Sequence, residues 1–228
     1  MDNEPRESLV TGLKKDRMEA LHDGIYAVAM TLLVFDLHVP HGITSFADFL
    51  RQLNVELPQF GAGTIAFLIV GMMWLNHYYR NSMVVRADFM HLAINIAAAG
   101  VIVLVPFSTS ALAEYWVHPW GITFFSWNIC LAIILYAIGA RHYVRFLIPK
   151  QVDQKFLRWN LAFMWFFALM SGLIVPGLAL VSPLAAVLVI PVFAVFNLVT
   201  MNRMQSRFIE AHLIAKAHAE DDGRLLPA

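Results

Sequence analysis

Long apolar runs alternate with short polar stretches along almost the whole chain. Runs at about 17–38, 58–82, 87–113, 119–140, 159–181 and 183–204 are each long enough to cross a hydrocarbon core of ~30 Å. The pattern predicts an all-α membrane protein with six transmembrane helices. It divides the chain into a polar lead at 1–16, a helical membrane domain at 17–204 and a tail at 205–228. Pro40 closes the first helix, because a residue before proline, here Val39, leaves helical geometry. Residues 39–57 are predicted as a loop holding a short amphipathic helix from Ser45 to Leu53. A basic amphipathic connector is expected at 141–158, and Pro191 inside the last run predicts a kink. Beyond about 206 the last helix is expected to run on and then give way to disorder.

Composition sharpens this picture. The 228 residues are 59% hydrophobic and 14% charged, against roughly 25% charge in a soluble domain. Mean hydropathy is +0.64. Formal net charge is zero, which argues against a nucleic-acid partner. Cys130 stands alone, so no intrachain disulfide or cysteine-rich metal site is expected. The first apolar run ends in FDLHVPHG, without the small residues of a signal-peptide cleavage site. Of the 16 lysines and arginines, only Arg51 falls in an outer loop if the N-terminus is inside. That asymmetry predicts cytoplasmic termini and a multi-pass protein of the cell inner membrane. No H-E-x-x-H, paired carboxylates or nucleophile arrangement marks an enzyme. No resident metal or cofactor is expected: His38 and His41, separated by Pro40, read as a solvated loop pair.

The first run is the anomalous one. It holds His22, Asp23 and Asp36, and an ionisable group at membrane depth costs about 2.5–3.5 kcal/mol on insertion scales. At 100° per residue, Gly24, Val28, Thr31, Leu32 and Phe35 form one stripe. Such a stripe either packs on a neighbouring helix or lines a path. Likewise His22 and Asp23 fit either a satisfied polar cluster or a transport element, and spacing leaves both pairs of readings open.

The segment Arg17-x-x-x-Leu21-His22-Asp23-Gly24, followed by YAVAMTLLVFDLHVP, resembles the first helix of the transmembrane protein 175 family of potassium channels. The family pattern is R-x-x-x-F-S-D followed by a run like AIAITLLVLEIKVP. Leu21 and His22 stand where Phe and Ser are usual. Further matches are Trp74, Asn76 and His77 in WLNH, Asp88 with Asn95, and Pro106 with Thr109, spread across the six-span unit. The resemblance implies a homotetramer in the bilayer, with four copies of the first helix lining a path for potassium and other monovalent cations. It implies an apolar constriction at Val28, Leu32 and Phe35, with Thr31 tuning ion preference. It also implies a helix-anchoring polar network of Arg17, His22, Asp23, Trp74, Asn76, His77, Asp88 and Asn95. A proton-coupled secondary transporter using His22, Asp23 and His77, or a non-conducting scaffold sealed by Phe35, remain the competing readings.

Overall fold

The computed structural model describes residues 15–35, 37–38, 41–84, 87–146 and 154–221. Eight α-helices fill them: α1 (Lys15–Leu32), α2 (Phe46–Ser82), α3 (Phe89–Val103), α4 (Val105–Glu114), α5 (Pro119–Phe146), α6 (Gln154–Leu169), α7 (Val175–Val181) and α8 (Pro183–Asp221). One π-helical turn, Met170–Ile174, joins α6 to α7. Five segments have the length and hydropathy to cross a membrane: Phe46–Ser82, Phe89–Glu114, Pro119–Phe146, Lys155–Val181 and Pro183–Arg203. Helix α1 is not among them. Its 18 residues include Lys15, Asp16, Arg17, Glu19 and Asp23, and at 1.5 Å per residue it spans only ~27 Å.

Several predicted boundaries move. Helix α1 was expected to reach about residue 38 but closes at Leu32. There the chain tightens into i→i+3 bonds, Val34 N to Thr31 O at 3.3 Å and Phe35 N to Leu32 O at 3.1 Å. The predicted loop at 39–57 is largely helix, since α2 starts at Phe46 and runs on without interruption. Ser45 starts it: extended in backbone, its Oγ accepts from Asp48 N at 3.1 Å, satisfying one of the orphan donors of the first turn. The Asp48 carboxylate beside those donors is held by Thr44 and Ser45 hydroxyls and by Arg51. Pro58 lies inside α2 and removes a single backbone bond, to Asn54. The expected connector at 141–158 is partly α5, which continues to Phe146, and partly α6. Residues 147–153 lie outside the described residues, as does the disorder expected at the end of the tail.

Proline and its missing N–H explain the breaks inside two spans. Pro106, at the second position of α4, cannot bond Ile102, and the third span divides at Leu104. Pro176 likewise cannot bond Gly172, whose carbonyl instead accepts from Trp127 Nε1 at 3.1 Å. The neighbouring π turn is braced in the same way: Cys130 Sγ donates to Ala168 O at 3.3 Å and Ser171 Oγ to Phe167 O at 2.8 Å. Pro191 sits within α8, which remains helical around it.

Helix α5 is the hub, packed against α3, α4, α6 and α7. Its face from Ile122 through Phe125, Ile129, Ala132 and Tyr136 to Tyr143 is buried. Alanines at the crossings, Ala66, Ala98, Ala132, Ala137 and Ala186, are wholly inaccessible, the small contacts that let membrane helices approach closely. At the turn into α5, a Cβ on Gly121 would lie 2.7 Å from Ala111 O, so only glycine fits. Outward faces are apolar, as with Phe60, Leu180, Val181, Leu188 and Val192, which suits a lipid surround.

Candidate functional site

Helix α1 has two chemically distinct faces. Met18, His22, Tyr26, Ala29 and Leu33, at i, i+4, i+8, i+11 and i+15, are each 5% exposed or less and pack into the bundle against α2 and α3. On the other side Gly24, Val28, Thr31, Leu32 and Phe35 are all exposed. Val28 is 56% exposed, Leu32 40% and Phe35 75%, although all three are large and apolar. Thr31 donates from Oγ1 to Val28 O at 2.9 Å, so its hydroxyl proton is committed to its own helix. Asp36 lies outside the described residues.

The buried face is fixed mainly through its first half. Asp23 Oδ1 accepts from Trp74 Nε1 at 2.7 Å, tying α1 to α2. His22, with no accessible surface, makes no hydrogen bond among the described residues and stacks on His77 with ring centroids 4.5 Å apart. His77 in turn meets Tyr136 of α5 at 5.3 Å, and Tyr26 donates to the Tyr136 hydroxyl at 2.9 Å. Below them Glu19 accepts from Asn81 Nδ2 at 2.6 Å, and Asn81 Oδ1 accepts from His91 Nε2 at 3.2 Å. Beyond Tyr26 the anchoring is apolar: Ala29 and Leu33 lie against α2 and its neighbours, and Leu33 O lies 3.7 Å from where a Cβ on Gly63 would stand.

The remaining predicted residues are dispersed. Arg17 is exposed and is not brought to Asp23. Asn76 points away from α1 and donates to Asn197 Oδ1 of α8 at 3.1 Å. Asn95, buried on α3, donates to His91 O at 2.7 Å rather than to Asp23. Asp88 is the N-cap of α3, accepting from His91 N at 2.7 Å and from His142 Nε2 of α5 at 2.8 Å. Burial raises the Asp88 pKa, but these two donors outweigh it and hold the carboxyl below its ordinary value. Residues that sequence reasoning passed over complete the layer: Glu19, Tyr26, Asn81, Tyr136 and His142. A polar residue recurring at helical spacing inside an apolar run was the signal available for Tyr26 and Asn81, but nothing local names a partner more than 100 residues away, as Tyr136 is from Tyr26.

The family model described as endosomal/lysosomal potassium channel TMEM175 matches residues 17–106. Over those residues the chain is similar to the TMEM175 family. Every site residue named from the sequence falls within the matched stretch, which ends in α4 and so stops within the third of the six spans expected from the sequence. A protein of Streptomyces collinus named as a potassium channel is 36% identical over 99 residues, covering 43% of this chain and 48% of that one. A potassium channel of Chamaesiphon minutus is 36% identical over 104 residues, covering 45% and 51%. The matched stretches thus span about half the length of these curated relatives. Likeness in structure goes further. The crystal structure described as a lysosomal potassium-selective channel TMEM175 homologue from Chamaesiphon minutus superposes with a TM-score of 0.73 at 26% identity, over 82% of this chain and 98% of that one. Fold similarity to a TMEM175 channel therefore includes helices beyond those that carry the sequence match.

Proposed function

We propose that this chain is a potassium-permeable cation channel of the TMEM175 kind, assembled as a homotetramer around four copies of α1. The observation that carries the reading is the division of α1 and the turn that follows it into a buried face locked to its own bundle and an exposed apolar stripe, Val28 and Leu32 on the helix and Phe35 in the turn. A helix charged through its first half is ill suited to lipid on its free side. Copies of itself around a water-filled path satisfy both the charged entrance and the apolar stripe. In this reading α1 is the sixth membrane-crossing helix, and the termini lie in the cytoplasm of a plasma-membrane protein.

Rings of valine, leucine and phenylalanine gate by dewetting and by forcing an ion to shed water. Potassium holds its hydration less tightly than sodium, so such a constriction favours potassium modestly without dedicated coordinating oxygens. Thr31 sits one turn from Val28 and beside Leu32, where its side chain sets the width between two apolar rings. The network from Asp23–Trp74 to Tyr26–Tyr136 acts as the mount: Tyr26 and Tyr136 are buried in the bundle, and the exposed Asp23 is engaged by the Trp74 indole.

Cation flux from liposomes holding potassium or sodium tests this. The wild-type protein is expected to pass potassium faster than sodium, with no proton gradient. Leu32→Ala is expected to weaken the preference, and Phe35→Leu to raise flux by widening the outermost ring. Flux only against a proton gradient would establish the transporter instead, and no flux from any of the three proteins would establish the scaffold.

A further inference from the structure

A cavity of about 110 Å³ lies among α2, α5, α8 and the segment from α6 to α7, on the side of the bundle away from α1. Its wall is apolar and deformable, with Met73, Met164, Met201, Phe163, Phe167 and Phe193 among its residues. Arg80, in the last turn of α2, also lines it. The Arg80 side chain belongs to a residue only 6% exposed. Its guanidinium meets no carboxylate and no hydrogen-bond acceptor among the described residues. The contact it does make is with the Tyr136 ring, 5.9 Å from its carbon to the ring centroid. Asn76, the polar neighbour one turn earlier, has its amide committed to Asn197.

A guanidinium with so little access to water gains from a counter-charge, and one aromatic face is a weak substitute for an anion. The planar fork of arginine matches a carboxylate bidentately. The wall sets the rest of the ligand. An apolar cavity of about 150 Å³ takes a benzene-sized guest, and methionines adjust to an irregular one. We propose that this cavity, smaller than one that takes benzene, binds a small organic anion, a carboxylate on a short alkyl body, with Arg80 holding the carboxylate and the methionine–phenylalanine wall enclosing the body. The site is separate from the α1 stripe and needs no ion permeation to be occupied.

Isothermal titration and thermal unfolding of the purified full chain in detergent test it, with butyrate, its neutral amide, and sulfate as probes. The acid is expected to bind saturably and raise the unfolding temperature, about tenfold tighter than the amide. In Arg80→Gln that preference disappears, while Ala194→Phe, which fills the cavity, weakens both organic probes. Equal binding of acid and amide to the wild-type protein overturns the proposal without reliance on any variant. So does a full effect from sulfate alone, which would leave a bare inorganic-anion site. Tighter binding of palmitate than of butyrate overturns the size limit and points to a bilayer fatty acid.

Discussion

The pair of tyrosines shows what single residues contribute to holding α1. Tyr26 is 1% exposed and Tyr136 5%, and their hydroxyls are bonded at 2.9 Å. Replacing one partner strands the other, and a buried hydroxyl without a partner costs about 1–3 kcal/mol. Removing both hydroxyls removes the debt on each side. Tyr26→Phe and Tyr136→Phe are therefore each expected to lower the unfolding temperature, and the double variant to lose less than the sum of the two. A fully additive double-mutant cycle, read by thermal unfolding in detergent, contradicts that coupling. At this scale the sequence was partly informative. It marked Arg17, His22, Asp23, Trp74, Asn76, His77, Asp88 and Asn95 as one network, of which the structure pairs Asp23 with Trp74 and stacks His22 on His77. It also associated Arg17 and Asn95 with Asp23, where side-chain direction decides otherwise: Arg17 lies six residues from Asp23 on the same helix, and Asn95 folds back on its own His91 carbonyl.

Elements obey rules that hydropathy does not see. Apolar runs located the spans well because a bilayer sorts residues by polarity. They located helix ends poorly because backbone bonds continue wherever caps and partners allow. Asp48, Arg51, Asn54 and Glu56 interrupt the apolar pattern before Pro58, yet the Ser45 cap carries the helix through all of them. The π turn is the element least visible in advance. It depends on the contact of Gly172 with Cys130, where an added Cβ would meet the sulfur at 2.8 Å. Overpacking of this kind costs typically about 1–3 kcal/mol. Gly172→Ala is accordingly expected to destabilise the protein, and Cys130→Ala in the same chain to restore most of the loss. Equal destabilisation with and without the sulfur would place the need for glycine elsewhere.

In the whole molecule, the bundle holds one side of α1 and leaves the other bare. Helices α2, α3 and α5 supply the polar mount, while α6 to α8 stand away from it around the Arg80 cavity. That arrangement makes the exposed stripe of α1 the surface on which four chains are proposed to meet. The most direct test asks which face of α1 meets water in the conducting assembly. In a Cys130→Ser background, single cysteines at Leu32 and at Ala29 report on the two faces, with a charged, water-soluble thiol reagent and potassium flux as the readout. The account predicts that the reagent blocks flux through the Leu32 variant and leaves the Ala29 variant conducting. Block at Ala29 with none at Leu32 would contradict it, because the path would then run on the other side of the helix.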